Sequence, residues 1–175
     1  IVEHPEIAAI SFTGSTEVGV KMVRDAAPTL KKLTMELGGK SPNVVFADAD
    51  VDTAVKGAQA AIFYNKGEVC TAGSRLFVEA KVHDEVVEKL AARANKMGHG
   101  DPMDSDTKLG PQNNKQQFET TLKFIEEGKK AGAKLVAGGE RAGSKGYFVK
   151  PTVFTDVKPE MSIAREEIFG PVLAV

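Results

Sequence analysis

An α/β fold with a mostly parallel sheet is predicted by two features of this chain. Short apolar, β-branched runs alternate with segments whose apolar residues recur at helical spacing, and glycine, proline or aspartate marks most junctions between them. Residues 7–12 read as a buried strand, broken by Gly14. Val18, Met22, Val23 and Ala26 then recur as a helix that Pro28 is expected to stop. Residues 32–37 alternate weakly and suit a strand ended by Gly38-Gly39, and 43–47 form another. Asp48 and Asp50 are placed to cap the next helix, whose face carries Val51, Ala54, Val55, Ala58, Ala61 and Ile62. Residues 75–79 return as strand. Val82, Val86, Leu90, Ala94 and Met97 mark one face of a helix over 82–97.

The polar stretch 98–114, rich in Gly, Pro and Asp, is a loop. A helix follows over 114–131 with Phe118, Leu122 and Ile125 in a stripe, then a short strand over 134–137 ended by Gly138-Gly139. Residues 140–146 are turn. Strands are expected over 148–154 and 172–175. No internal repeat or low-complexity tract interrupts the pattern.

Composition excludes several classes of function. The chain has 175 residues, 42% hydrophobic and 27% charged, enough for one good core. A net charge of -1 provides no electrostatic basis for binding nucleic acid or an anionic membrane. No apolar run approaches the roughly 20 residues that span a bilayer, and no targeting segment is visible. The chain begins at Ile1 and ends in the apolar run Pro171-Val172-Leu173-Ala174-Val175, which reads as a strand cut short, so a piece of a longer polypeptide is expected.

The single cysteine, Cys70, has no partner for an internal disulfide. It can be an inert core residue, a metal ligand or a reactive nucleophile. Its surroundings argue against the first: Gly67 and Gly73 flank it, with Asn65, Lys66, Thr71 and Ser74 between and around them, as in a loop that presents a side chain. One cysteine suits a reducing compartment.

The turn Gly14-Ser15-Thr16-Glu17-Val18-Gly19 follows a strand and opens a helix, whose free N–H groups attract anions. Its spacing is G-x-x-x-x-G rather than the usual dinucleotide fingerprint, so on this feature alone a plain strand-to-helix turn explains it better. Glu36 lies roughly 20 positions further on, where an acidic residue often meets ribose hydroxyls. Other apparent motifs fail. Gly39-Lys40-Ser41 resembles the end of a P-loop, but Thr34 stands where that motif needs glycine, and Pro42 opposes the required helix. There is no G-x-S-x-G elbow. His4, His83 and His99 are scattered without ligand spacing, so no metal site is expected.

Five segments, taken together and in this order, resemble the aldehyde dehydrogenase superfamily. They are Phe12-Thr13-Gly14-Ser15-Thr16-Glu17-Val18-Gly19, Glu36-Leu37-Gly38-Gly39-Lys40-Ser41-Pro42-Asn43, Gly67-Glu68-Val69-Cys70-Thr71-Ala72-Gly73-Ser74-Arg75, Gly146-Tyr147-Phe148-Val149-Lys150-Pro151-Thr152-Val153 and Glu166-Glu167-Ile168-Phe169-Gly170-Pro171-Val172. The resemblance spans nearly the whole chain. It implies the end of a Rossmann-type cofactor-binding domain over 1–37 and most of an α/β catalytic domain over 38–175, in a family whose members are more than twice this length.

The resemblance also implies the chemistry. Cys70 is the nucleophile that makes the aldehyde carbon tetrahedral, with its backbone N–H beside the oxyanion. Hydride passes to NAD or NADP, and Glu36 activates the water that hydrolyses the resulting thioester. This role for Glu36 replaces the ribose contact suggested by counting. Gly14, Ser15, Thr16, Val18, Gly19, Leu37, Glu167 and Phe169 are the implied cofactor contacts, Glu167 at the nicotinamide ribose and Phe169 beside the nicotinamide. The substrate is a small aldehyde, with Tyr64, Val69 and Thr71 near the nucleophile. The stretch 67–75 is similar to broad-specificity and betaine-aldehyde-type members. The family implies a cytoplasmic homodimer or homotetramer without nucleic-acid or membrane partners. An Asn of the oxyanion hole and a Lys at the adenosine ribose fall before Ile1 in family members, so the 175-residue chain alone is expected to turn over little aldehyde. A coenzyme-A-acylating relative is disfavoured by Glu36, and a non-catalytic protein on the same fold by Glu36 and Cys70 together.

Overall fold

The alternating pattern folds into two units, 1–39 and 40–175, in the computed structural model, which describes all of residues 1–175. In the first unit, strand β1 (Ala9–Thr13) pairs in parallel with β2 (Lys32–Glu36), in register from Ala9 opposite Lys32 to Thr13 opposite Glu36. A parallel pair needs a crossover, here helix α1 (Thr16–Ala26) and a 3₁₀ turn over Ala27–Thr29. The Ser15 hydroxyl caps α1 by accepting from the Val18 N–H at 3.3 Å, and Glu17 complements the dipole in the first turn. Helix α1 ends at Ala26, just ahead of Pro28, as expected. Pro28 sits inside the 3₁₀ turn, near whose start its missing N–H costs nothing, and Leu30 at φ 49° ends the turn. The Lys31 ammonium donates to the carbonyls of His4 and Ile7, the latter at 2.7 Å, and fastens the N-terminal segment.

The second unit is built on a five-stranded sheet. In chain order its elements are β3 (Pro42–Val45), α2 (Val51–Phe63), β4 (Arg75–Val78), α3 (His83–Asn95), α4 (Lys115–Lys130), β5 (Lys134–Ala137), β6 (Thr152–Thr155), the one-turn α5 (Ser162–Arg165) and β7 (Val172–Ala174). The strand order is β3-β4-β7-β6-β5, parallel except for β5. Asp50 caps α2 through the Thr53 N–H, and Asn114 caps α4 through the Gln117 N–H, both at 2.8 Å.

The central strands β6 and β7 are buried on both faces, as parallel strands between helical layers are. Neighbouring residues serve opposite cores, because strand side chains alternate. Val153 and Leu173 join Val55, Ala58 and Ile62 of α2 and Val86 and Leu90 of α3. Phe154 and Val172 join Phe118 and Ile125 of α4 with Ile163 and Ile168. No helix is long and apolar enough to cross a membrane.

One expectation shifts, and two features carried no expectation. The strand expected over 148–154 covers only Thr152–Thr155. Phe148 to Lys150 instead pair with 140–142, through Ala142 N–H to Phe148 O and Lys150 N–H to Glu140 O, and Pro151 has no N–H to extend the ladder. The 114–131 helix leads into an antiparallel strand at the sheet edge, not a parallel one. The helix α5 has a single turn, too short to leave a periodic signal.

The loop after α2 passes backbone against backbone. Gly67, at φ +79°, lies so close to Gly170 that a Cβ would sit 2.1 Å from the Gly170 carbonyl oxygen. Gly67→Ala is expected to lower stability by about 2 kcal/mol or more, from forced φ and overlap with main chain, read as a drop in urea midpoint. Leu90→Ala, at a fully buried position, should cost about 2–5 kcal/mol in the same measurement.

Candidate active site

In the first unit the glycine turn and Glu36 meet at the carboxyl ends of paired strands. Thr13 lies opposite Glu36, and the Gly14 N–H donates to the Glu36 carbonyl at 3.0 Å. The start of α1 opens at this edge, where ligands of parallel α/β sheets bind. The two glycines differ in what they allow. A Cβ at Gly14 would meet only the Phe12 ring, its own near neighbour, at 2.4 Å. Gly19 is buried, and a Cβ there would come within 2.5 Å of Leu37 Cδ2, so Gly19 lets the helix pack on Leu37. Thr16, Val18 and the Glu36 side chain are exposed in this unit, and the Ser15 hydroxyl is engaged as a cap.

In the second unit Cys70 is exposed, on the loop between the 3₁₀ turn Tyr64–Gly67 and β4. The approach to it is strained. Asn65 (φ 46°), Lys66 (φ 53°) and Gly67 (φ 79°) are consecutively left-handed, a conformation that persists only where surroundings enforce it. The enforcing contacts are numerous. Asn65 Nδ2 donates to the Glu68 carbonyl at 3.0 Å. The Glu68 carboxylate, with its side chain 8% exposed, takes the Lys66 ammonium at 3.3 Å and the Asn113 N–H at 2.8 Å. Beyond the thiol, the Ala72 N–H donates to Val69 O and the Gly73 N–H to Ala61 O, each at 3.0 Å. Val69 packs into the core, whereas Tyr64 and Thr71 face outward.

The segment carrying Glu167 and Phe169 borders this loop through Gly170. Phe169 holds φ 56°, unfavourable for an aromatic residue, and is partly exposed. Gln117 of α4 donates to the carbonyls of Ile168 and Phe169, both at 2.8 Å. Thr121, fully buried, lies under Gly170, where a Cβ would come within 2.5 Å of its Oγ1. Gln112, also buried, reaches the Lys66 carbonyl at 3.4 Å and accepts from Thr121 at 3.5 Å. One polar chain thus ties both loops to α4. Gln112, Gln117 and Thr121 escaped the sequence reading, and Lys66 and Glu68 carried no assigned role in it, since ordinary polar residues carry no local mark of a tertiary partner.

Two buried polar atoms have no partner: Lys40 Nζ and Glu167 Oε1. Burial pushes the Lys40 pKa down to about 8, aided by the Arg75 guanidinium and opposed by the carboxylates of Glu167 and Glu166. Arg75 also holds the Lys40 carbonyl through its Nε–H at 2.8 Å. A buried carboxylate oxygen without a partner is uncommon in a folded protein. His83 is engaged with Asp84 and Thr155, and the His99 ring lies 6.0 Å from the ring of Phe148.

Known proteins share this fold. The profile of the "Aldehyde dehydrogenase family" matches residues 1–175. The chain is 54% identical over 174 residues to "Aldehyde dehydrogenase, cytosolic 1" of Rattus norvegicus, covering 98% of this chain and 34% of that protein. It is 51% identical over 176 residues to "Aldehyde dehydrogenase family 2 member C4" of Arabidopsis thaliana, covering 100% and 35%. Among solved structures, an NAD+ complex of aldehyde dehydrogenase from Bacillus cereus superposes with TM-score 0.98 at 51% identity, covering 100% of this chain and 36% of that one. The chain therefore spans about a third of the length of these relatives. Matched by family profile, sequence and fold along its full length, it belongs to the aldehyde dehydrogenase family.

Proposed function

We propose that the protein carrying this sequence oxidises an aldehyde to a carboxylic acid with NAD or NADP. In this reading Cys70 is the nucleophile and Glu36 the base that activates water. The observation that carries it is an exposed thiol on a loop held rigid from both sides, within a chain that matches the family from end to end. The Bacillus cereus relative is described as an NAD+ complex, which supports the same cofactor here. Unit assignments follow the family: 1–37 close the cofactor-binding domain and 38–175 carry the thiol. Gly14, Ser15, Thr16, Val18, Gly19 and Leu37 would support the cofactor from the first, and Glu167 and Phe169 from the second.

The chemistry divides into two halves. The Cys70 thiolate attacks the aldehyde carbon: a C–S bond forms, and the carbonyl π pair moves to oxygen. The Cys70 N–H donates to that oxyanion. Bound NAD(P)+ supplies the acceptor for the hydride that this carbon must lose. When the oxyanion collapses, an acyl thioester remains on Sγ. Glu36 then takes a proton from water, whose oxygen adds to the acyl carbon. The C–S bond breaks, the thiolate is restored and the acid departs. The name of the rat relative and the free thiol both support a cytoplasmic location, and family likeness supports a homodimer or homotetramer.

In the full-length protein, Cys70→Ala should reduce aldehyde-dependent NADH or NADPH formation to background, and steady turnover by that variant would sink the thiol mechanism. Glu36→Gln should lower steady turnover by about 10²–10⁴-fold yet leave a first-turnover burst of reduced cofactor, because only thioester hydrolysis is impaired. The 175-residue chain by itself, about a third of its relatives' length, is expected to give no sustained turnover. Rates near those of the full-length protein would refute this.

A further inference from the structure

Glu68 stands two residues before the thiol, and its carboxylate is turned inward, with the side chain 8% exposed. A buried carboxylate is tolerated only where its oxygens find partners. Each oxygen here has one. Oε1 accepts from the Asn113 N–H at 2.8 Å, and Oε2 takes the Lys66 ammonium at 3.3 Å. The two contacts differ in reach. Lys66 lies on the same loop, so its ion pair stays within the turn. Asn113 lies 45 residues further along the chain, next to the Asn114 cap of α4, so its bond joins the loop to another element.

The same stretch touches the loop a second time, where Gln112 Nε2 donates to the Lys66 carbonyl at 3.4 Å. Gln112 is itself fixed, because its own N–H donates to the Tyr147 carbonyl at 2.8 Å. Residues 112 and 113 thus hold 66 and 68, on either side of Gly67, the residue that passes against the Gly170 backbone. One turn into α4, Gln117 holds the Ile168 and Phe169 carbonyls. The thiol loop and the Phe169 segment are therefore referred to one frame, the start of α4. On the thiol side the shorter bond to that frame is the one that Glu68 accepts.

We propose that Glu68 is a positioning residue for Cys70, its bond from the Asn113 N–H setting where the thiol stands relative to the Phe169 segment. This rests on the reading that Cys70 is the nucleophile and that the Phe169 segment lies beside the cofactor. The ion pair with Lys66 has a different task, which is to offset the burial of the carboxylate. Misplacing a reacting group by about 1 Å costs up to about 10²-fold in rate. Losing one partner of a buried charge costs stability instead. The two contacts of one carboxylate are therefore expected to fail in different measurements.

The experiment uses the full-length protein and three readouts. They are the first-turnover rate constant for NADH formation from NAD+ and acetaldehyde, hydrogen–deuterium exchange of the stretch that carries Asn113, and the urea midpoint. Glu68→Ala should lower the first-turnover rate constant about 10–100-fold and speed exchange at that stretch. Glu68→Gln keeps an acceptor oxygen for the Asn113 N–H and loses only the ion pair. It should hold the rate constant within about threefold of the parent, with unchanged exchange and a lower urea midpoint. Lys66→Met should behave the same way. Lys66→Met/Glu68→Leu replaces the pair by apolar side chains of similar size, a change that folds tolerate. It keeps the test decisive if Glu68→Ala does not fold, and it should lose rate as Glu68→Ala does. A parent-like rate in Glu68→Ala or in the double variant, with only the urea midpoint changed, would make Glu68 a structural residue and overturn the proposal. So would a Glu68→Gln variant as slow as Glu68→Ala, since charge rather than the Asn113 bond would then set the rate. Cys70→Ala is the control: NADH formation that persists in it removes the nucleophile and this role together, whereas an inactive Cys70→Ala beside a parent-like Glu68→Ala removes the Glu68 role alone.

Discussion

The close passage of Gly67 and Gly170 is the constraint on which the candidate site depends. The loop that presents Cys70 and the segment that carries Glu167 and Phe169 run main chain against main chain, with no room for a Cβ on Gly67. A contact of this kind is stiff, since backbone cannot change rotamer to relieve it. Around it Gln117 of α4 donates to the Ile168 and Phe169 carbonyls, and Gln112, just before α4, donates to the Lys66 carbonyl. Helix α4 is itself anchored in the core by Phe118 and Ile125. Packing thereby reaches the thiol through a short chain of named contacts.

Strain is concentrated where chemistry is expected. Asn65, Lys66 and Phe169 adopt left-handed backbone, and all lie on the two loops joined at Gly67 and Gly170. Such conformations persist only when surrounding structure over-determines them, and the Glu68 bonds to Lys66 and Asn113 provide that on the thiol side. Holding the loop in advance means a substrate need not order it, which preserves binding energy for the transition state. The exposed position of Cys70 agrees with this arrangement: the side chain is displayed and the backbone beneath it is locked.

Buried charge adds a second layer. Lys40 and Glu167 lack direct partners, whereas most ion pairs of this chain, such as Lys89 with Asp52 and Glu85, are exposed and contribute little.

Much of this molecule is legible in its sequence. Alternating strands and helices, the Asp50 cap of α2, the apolar stripes of α3 and α4, the glycine turn before α1 and the loop around Cys70 all follow from local patterns, because propensity, capping and periodicity act over a few residues. The family motifs added the identity of the chemistry. The central placement of β7, the antiparallel edge strand β5, the shortened β6 and the one-turn α5 depend on which distant strands find each other. Lys40 Nζ became a buried group without a partner only once neighbours were in place. The sequence by itself determined the element types and named the candidate side chains. Tertiary structure decided strand order, the backbone contact at Gly67 and Gly170, and the burial of Lys40 and Glu167, because register, close approach and desolvation are properties of chain segments far apart in sequence.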